Sequence, residues 1–578
     1  MQEVDWGRRV AEEVSRERLL EVTGQVAREV RLSGSEEERR SAGYVEGLLR
    51  HAGLETELLL HDAYISLPGP AELVVGADHY PCITHSFSAA SGPPGIEGEL
   101  VDVGEPAKAT PAAVRGKLVL MDGLAMAGFV RGVEATGAIG QIYVNGDLTH
   151  EMIVSSVWGN PGTTEKGKYP KGVVISTTTE VGKQLRERLR SGPVRVRVHC
   201  EVDTGWRKTP LLVGHLKVPG TDDFVLLSGH LDSWHLGAMD NGGANATMVE
   251  AARILAGHRD HLRRGLRVAF WSGHSHGRYS GSAWYADTHW RELREHCVAH
   301  VNVDSIGGRG ASVLSEGIAM PSTRALAAAA IAKVANAEFE GTRVGRAGDQ
   351  SFVALGIPSL WMSLSEQPPS DHPTARAFSA GVGSPKSGGL GWWWHTVEDT
   401  MDKLDPDLLV RDAQIYMVAL SRLLAESLLP LSAADEADEL VRTLMELQKL
   451  AGHRFDLSST IAAAKDAHGV AEDLETWRGR QTDAVGAADA NAFNRGINSL
   501  LRGLVGALNS ERGPYAQDPA AAVPPLPLLD PVRALAALEP GSDEARFMTV
   551  DLVRARNRVD DMVRQGTQNA RQALEDLK

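Results

Sequence analysis

The densest run of residues that could bind a metal ion is SGHLDSWHLGAMDNGGAN, residues 228–245. His230 and Asp232 lie two positions apart at the end of an apolar stretch that is typical of a strand, so both side chains can point to one face. His230 offers a neutral imidazole nitrogen, and Asp232 could fix the tautomer of that ring through its other nitrogen. Asp240 follows in a glycine-rich turn that opens a helix, where its two oxygens could bridge two ions. The alternative is a surface loop in which Asp240 only caps the helix.

Two further candidates follow later in the chain. Asp304 comes after the apolar run in VNVDSIGG, and His395 follows three tryptophans in GWWWHTVEDT. Alone, an aspartate before glycine is typical of a turn, and a histidine beside tryptophan is typical of packing. Together with His230 and Asp240 they provide nitrogen and oxygen ligands and leave room for a water, which suits zinc or another divalent transition metal. The set predicts a site for one or two ions.

An alternation of strands and helices along the chain could bring these residues together. Between about 205 and 425, apolar runs such as DFVLLSG, GLRVAFWSG and HCVAHVNVD alternate with helical patterns, which predicts an α/β sheet with helices on both faces. Short strands cut by glycine and aspartate predict a compact β-rich insert over residues 93–204. From about 430 onward the pattern is helical. The proline-rich DPAAAVPPLPLLDP, residues 518–531, interrupts it and predicts a loop or arm.

Composition excludes several classes of protein. The 578 residues carry a net charge of −15, from 60 basic and 75 acidic side chains. This argues against a general nucleic-acid or anionic-membrane binder, while a local basic patch remains compatible with it. Three scattered cysteines indicate thiols rather than a disulfide framework. No secretory signal and no apolar run of about 18 residues stand out, so we expect a cytoplasmic protein.

Several motifs resemble one family of enzymes. GHLDSWHLGAMDNGGANATMVEAAR looks like the signature of the zinc aminopeptidase/carboxypeptidase family that includes glutamate carboxypeptidase and the transferrin receptor. NVDSIGG, GDQSFVALGIPSLWM and HTVEDTMDKLD match that family in the same order. The resemblance implies a zinc-peptidase-like mixed β-sheet sandwiched by helices, formed by residues 1–92 and 205–428. The insert at 93–204 resembles a protease-associated domain, and residues 429–578 resemble a helical dimerisation domain, which implies a homodimer.

The resemblance also implies roles for single residues. His230, Asp240 and Asp304 would hold one ion, with Asp240 bridging to a second ion that His395 also binds. Asp232 would orient His230. The family's remaining ligand and its general base are adjacent glutamates after the strand that ends here in AFWSG, and this sequence lacks both.

The stretch WSGHSHGRYSGS offers His274, Ser275 and His276 in their place. Counting forward from the strand puts His274 at the base position and Ser275 at the ligand position. Counting back from the GS pair puts Ser275 at the base position and His276 at the ligand position. A bulged loop would allow a joint solution, with His274 as base or acid and His276 as ligand. Imidazole can replace a carboxylate on zinc, copper or nickel, and histidine suits proton transfer near neutral pH.

These motifs predict a metal-dependent hydrolase in which an activated water attacks an amide or peptide carbonyl. Because the glutamate pair is absent, we expect a small or non-standard amide or peptide as substrate. Trp394 is a candidate wall of the substrate pocket, although it could equally pack against the helical domain. The alternatives are a non-catalytic binding or scaffold protein on the same fold, and a metal enzyme of different chemistry.

Overall fold

The computed structural model describes residues 6–343, 345–361, 364–381, 387–481 and 485–577. The strands within these ranges are β1 (Glu55–Val75), β2 (Asp78–Tyr80), β3 (Ile83–Thr84), β4 (Ile96–Gly104), β5 (Leu118–Asp122), β6 (Gly140–Val144), β7 (Val173–Thr177), β8 (Arg195–Leu216), β9 (Phe224–His230), β10 (Gly265–Trp271), β11 (Cys297–Asn302), β12 (Ile318–Ala319) and β13 (Ser359–Trp361).

The α-helices within the same ranges are α1 (Trp6–Glu12), α2 (Arg16–Val26), α3 (Glu36–His51), α4 (Pro111–Val114), α5 (Ala127–Ala135), α6 (Thr179–Ser191), α7 (Ala244–Gly257), α8 (His274–Gly277), α9 (Ser280–Thr288), α10 (Trp290–His296), α11 (Pro321–Ala335), α12 (Pro373–Gly381), α13 (Pro406–Ala425), α14 (Ala433–Ala451), α15 (Ser458–Gly479), α16 (Ala487–Asn509), α17 (Val532–Ala537) and α18 (Asp543–Asp576).

The strands pair in the order β12-β13-β11-β9-β10-β8-β4-β5-β6-β7-β3, which confirms the predicted mixed α/β architecture. At its centre, β10, β9, β11 and β13 run parallel. Every residue of β9, β10 and β11 is buried. Burial on both faces explains why these strands are continuous apolar runs rather than alternating ones.

The register of the parallel strands brings their carboxyl ends to one level. Trp271 of β10 pairs with His230 of β9, and Asn302 of β11 pairs with Ser228 of β9. Residues that follow these positions therefore emerge side by side at one edge of the sheet. This is the edge at which ligands bind in open α/β sheets.

A long antiparallel ribbon links this part of the sheet to the insert. β1 and β8 pair from Glu55 to Val74, and β8 then pairs with β4. Leu73 and Val75 share an apolar cluster with strands of the insert, so the insert packs on residues that precede position 93. The boundaries at 93–204, 205–428 and 429–578 stay predictions.

Local predictions agree with the structure at several points. Ser35 caps α3 by accepting a hydrogen bond from Glu38 N, and Gly53 follows the helix with φ of 88°. Residues 518–531 form neither helix nor strand. Among the described helices, none combines the length and the apolar character that crossing a membrane requires.

Arg31 fixes the loop that follows β9. Its fully buried guanidinium donates to the carbonyl oxygens of Leu231 at 2.8 Å and Leu236 at 2.8 Å, and also to Val26 at 2.7 Å. Five main-chain carbonyls in all accept from this one side chain. The loop of residues 231–237 is thus held against the segment between α2 and α3 by charge-assisted hydrogen bonds.

We predict that Arg31→Met lowers the free energy of unfolding by at least about 3 kcal/mol, because buried carbonyls lose their donors. Chemical denaturation followed by circular dichroism measures this. The matched control is Arg28→Met, an exposed arginine of the same segment, for which we expect a change within about 0.5 kcal/mol. Equal stabilities of the two variants would show that Arg31 does not hold the loop.

Candidate metal centre

His230 stands at the end of β9 with both ring nitrogens engaged. Its Nδ1 lies 2.8 Å from the carbonyl oxygen of Asp232, to which it donates. That bond makes Nδ1 the donor and directs Nε2 toward the centre, where it could bind an ion in place of its proton. The Asp232 carboxylate is farther away, 3.6 Å from Nδ1, so the orienting contact comes from the backbone of Asp232.

Two carboxylates face His230 Nε2. Asp240 Oδ1 lies 2.8 Å from it and Asp304 Oδ1 lies 3.6 Å from it. Asn241 ties the two loops together, because its amide donates to the carbonyls of His230 and Val303, each at 3.2 Å. The three predicted ligands of one ion therefore converge.

His395 lies on the other side of Asp240. Its Nε2 is 3.1 Å from Asp240 Oδ2, so the two oxygens of one carboxylate face two different histidines. His395 Nδ1 donates to the carbonyl of Glu151 at 2.7 Å, and Glu151 N donates back to the His395 carbonyl at 2.9 Å. The insert thus positions a residue of the centre. The bridging role of Asp240 between two ions stays a prediction.

Asp399 supports Asp240 and has no role in the sequence-based prediction. Its carboxylate accepts from Met239 N at 2.9 Å and from Asp240 N at 3.0 Å. Burial raises the pKa of Asp399 to about 7. The residue lies in the same HTVEDT motif as His395, but no spacing rule links it to a turn 160 positions earlier.

The centre is acidic and buried. Burial disfavours a charged His230, yet Asp304, Asp232 and Asp240 outweigh that effect and raise its pKa well above the usual range. Carboxylates packed around one imidazole thus favour a cation at this place. Their nitrogen and oxygen donors fit zinc or a similar divalent transition metal.

The turn after β10 brings His274 to the same edge. Gly273 adopts a left-handed conformation with φ of 73°, and a Cβ there would lie 2.0 Å from Ser280 Oγ. Glycine is therefore required for the chain to enter α8 directly. A ring nitrogen of His274 comes within 4.8 Å of ligand atoms of His230 and Asp304.

Ring geometry separates the role of His274 from that of His230. The two imidazoles stack, with centroids 3.8 Å apart and 17° between their planes. A metal ion binds an imidazole nitrogen along the lone pair in the ring plane. Since two nearly parallel planes do not meet near the site, one ion cannot lie in both. In this conformation we therefore expect His274 to lie beside an ion that His230 would hold, although its nitrogen is close enough to belong to the same cluster.

The chain bends sharply after the histidines. Arg278 and Tyr279 both adopt left-handed conformations, with φ of 45° and 69°, between α8 and α9. The choice between the two registers stays a prediction. The amides of His274 and Ser275 donate to the Asp232 carboxylate at 3.3 and 3.0 Å, so Asp232 anchors this turn.

His276 is fully buried, and only one of its two ring nitrogens has a hydrogen-bond partner among the described residues. Its Nδ1 lies 2.9 Å from Ser33 Oγ, while its Nε2 has no hydrogen-bond partner in the described part of the chain. Burial lowers the pKa of His276 to about 4, which keeps the ring neutral, the form that binds metals. Its role as a ligand stays a prediction.

Trp394 packs directly on the centre. Its ring stacks on His395 with centroids 3.3 Å apart, and Phe378 lies edge-on at 4.8 Å. The carbonyl of Trp394 accepts from His150 Nδ1 at 2.6 Å, if that nitrogen is protonated. Trp394 also packs against the apolar cluster that contains Met239 and Leu404. A contact with substrate stays a prediction.

Comparison with known proteins agrees with this geometry. Residues 212–420 match the sequence model for peptidase family M28. A probable glutamate carboxypeptidase VP8 of Zea mays is 29% identical over 122 residues, 20% of this chain and 17% of that protein. Carboxypeptidase Q of Xenopus laevis is 36% identical over 114 residues, 19% of this chain and 23% of that protein. The chain thus matches less than a quarter of the length of these curated relatives.

Solved structures show the same fold. An aminopeptidase from Aneurinibacillus sp. strain AM-1 aligns with a TM-score of 0.53 at 21% identity, over 72% of this chain and 96% of that chain. A zinc aminopeptidase from Bacillus subtilis aligns with a TM-score of 0.54 at 18% identity, over 71% and 95%. Residues 212–420 thus match the model for peptidase family M28 in sequence, and the chain shares the fold of these aminopeptidases.

Proposed function

We propose that this protein is a metal-dependent hydrolase that cleaves an amide or peptide C–N bond. The observation that carries the proposal is the meeting of His230, Asp240 and Asp304 in a buried acidic centre, with His274 stacked beside them. The match of residues 212–420 to the model for peptidase family M28 supports this proposal.

His230, Asp240 and Asp304 would hold one divalent ion, with zinc the best match to their donors. Asp240 and His395 would contribute to a second. Such an ion lowers the pKa of a bound water and polarises a carbonyl. The buried, pre-positioned carboxylates set its place before substrate arrives, because Asp399 and Asn241 hold the loops that carry them.

His274 would move the proton. Its Nδ1 lies 2.8 Å from Asp349 Oδ2, so Nδ1 carries a hydrogen and Nε2 is left as the acceptor. Nε2 would take a proton from the attacking water and return it to the leaving nitrogen. A histidine would thus do the work that the family motif assigns to a glutamate.

Asp349 would position His274. Its second oxygen accepts from Ser282 Oγ at 2.7 Å, and Ser282 lies 2.9 Å from Ser351 Oγ. Asp349 is completely buried, so this carboxylate is fixed on both oxygens. A buried carboxylate on the far nitrogen of an imidazole holds the tautomer and the ring orientation that proton transfer needs.

The burial of the metal centre favours a small substrate. His230, Asp304, Asp240 and His274 are only 1, 5, 6 and 9% exposed. A small amide or dipeptide would reach them more readily than a folded polypeptide. No acid replaces the missing pair within the stretch 272–282, so the substrate faces imidazole where the motif has carboxylate.

A homodimer through residues 429–578 and a cytoplasmic location stay predictions. The dimer is supported by apolar side chains exposed on two helices of this region. Phe547 and Val550 of α18 are 74 and 49% exposed, and Met445 of α14 is 51% exposed. Apolar surface of this kind is typical of an interface.

We predict that removal of the metal lowers turnover by more than about 100-fold, because the ion supplies several kcal/mol of transition-state stabilisation. The assay is a panel of dipeptides and aminoacyl amides, before and after dialysis against a chelator. Adding zinc should restore turnover together with bound metal, measured by mass spectrometry. Purified protein that neither contains metal nor gains activity on any tested divalent ion would favour a binding or scaffold protein.

We predict that His274→Ala lowers kcat by about 100-fold or more, the usual contribution of a general base. Metal content should stay unchanged, and free imidazole in the buffer should restore part of the rate. The control is His453→Ala, an exposed histidine of the helical region. Loss of metal from His274→Ala would instead make His274 a ligand, and full turnover would remove it from the reaction.

We predict that Asp349→Asn lowers kcat by about 10- to 100-fold, because the ring of His274 loses its orienting carboxylate. KM and metal content should change little, since Asp349 contacts neither the ion site nor its carboxylates. Asp402→Asn, at an exposed position, is the control. Unchanged kcat in Asp349→Asn would contradict the positioning role.

A further inference from the structure

A large cavity lies at the opposite end of the strands from the metal centre. Its volume is about 1930 Å³, and its wall includes Phe224 and Gly265, the first residues of β9 and β10. The metal centre follows the last residues of these strands. Seven residues of strand separate the two places by about 20 Å. The cavity is therefore a separate site, bounded by α10 and by α16 of the helical region.

The charge of this cavity opposes that of the whole chain. Among the described residues that line it, nine are arginine or lysine and four are aspartate or glutamate. The complete chain has 75 acidic and 60 basic residues. A positive cavity in a negative protein focuses anions toward one place.

Arg502 is one of the arginines that line the cavity. It donates from Nη2 to the carbonyl of Cys297 and to that of Leu293 at 3.4 Å. Its Nη1 is buried and has no hydrogen-bond partner in the described structure. Burial lowers the pKa of Arg502 to about 10, although the guanidinium stays charged at neutral pH.

Arg264 and Arg294 likewise donate to main-chain carbonyls rather than to carboxylates. Arg264 is 3% exposed and donates only to main-chain carbonyls, among them Leu423 at 3.0 Å and Glu426 at 2.8 Å. Arg294 donates to the carbonyl of Leu355 at 3.2 Å. Within the described residues, no carboxylate lies within ion-pair distance of Arg264, Arg294 or Arg502.

Three of the four acids that line the cavity, all but Asp222, already lie beside basic or histidine side chains of the same wall. Glu292 is bound by Arg267 at 2.5 Å, and Glu295 by Arg291 at 2.9 Å. Asp223 lies 3.5 Å from His296. Among the described residues these pairs leave Arg264, Arg294 and Arg502 without a carboxylate at ion-pair distance, while Asp223 attracts Arg264 and Arg502 only from farther away.

One face of α16 adds neutral donors. Asn491, Asn498 and Arg502 are seven and four positions apart, which places them along one side of the helix. All three line the cavity. The side-chain amides of Asn491 and Asn498 make no hydrogen bond to the described part of the chain. Amides and guanidinium groups along one stripe form a ready surface for oxyanions.

We propose that this cavity binds a multivalent phosphate-type anion. The planar donor fork of arginine matches phosphate oxygens, and several arginines can satisfy several negative charges at once. A ligand bearing two or more phosphate groups would supply the counter-charge that Arg264, Arg294 and Arg502 lack. The inference does not depend on the proposed hydrolase.

Calorimetric titration with inorganic tripolyphosphate tests the proposal at fixed ionic strength. We expect saturable binding that weakens at least tenfold in Arg502→Gln and in Arg263→Gln. Arg263 lines the cavity from an exposed position, so its variant keeps the fold. Arg131→Gln, on the exposed face of α5, should bind as the unaltered protein does.

Tripolyphosphate could also bind through a metal ion at the metal centre. The Asp240→Asn variant distinguishes that binding from binding in the cavity. Binding should persist in Asp240→Asn. Loss of binding there, with no effect of Arg502→Gln and Arg263→Gln, would overturn the proposal, as would the absence of saturable binding. Citrate that binds as tightly at equal charge would overturn the assignment to phosphate.

Discussion

Four carboxylates, those of Asp232, Asp240, Asp304 and Asp399, lie buried around one end of the central strands. Placing so much negative charge out of water is unfavourable unless hydrogen bonds and a cation compensate it. Much of the surrounding structure serves that need. Backbone amides donate to Asp232 and Asp399, and His230 sits among the rest. The fold keeps a place in which a divalent ion is electrostatically favoured.

The same crowding of negative charge bears on the turn after β10, which contains His274 and His276. A glutamate after β10 would add one more negative group to a crowded acidic centre. His274 offers an imidazole instead, whose face stacks on His230 and whose Nδ1 lies 2.8 Å from Asp349. The carboxylate thus contacts the edge of the ring. In the proposed reaction an imidazole would take the place of a carboxylate beside the ion.

Sequence patterns predicted much of this arrangement. Apolar runs and turn residues identified the parallel strands, and residues after parallel strands must meet, so His230 and Asp304 could be placed together. The residues that escaped prediction act across long separations. Arg31 contacts a loop 200 positions away, and Asp349 reaches a histidine 75 positions earlier. No local periodicity records such pairs. The left-handed conformations of Arg278 and Tyr279 after the histidines are likewise not visible in the sequence.

We infer that an ion binds His230 and Asp240 while His274 lies beside it as a proton carrier. Anomalous scattering at the zinc absorption edge, from crystals grown with zinc, tests this most directly. We expect a peak bonded to His230 Nε2, Asp240 and Asp304, with His274 Nδ1 still on Asp349 and its Nε2 outside bonding distance of the ion. A peak bonded to His274, or no peak at these residues, would contradict it.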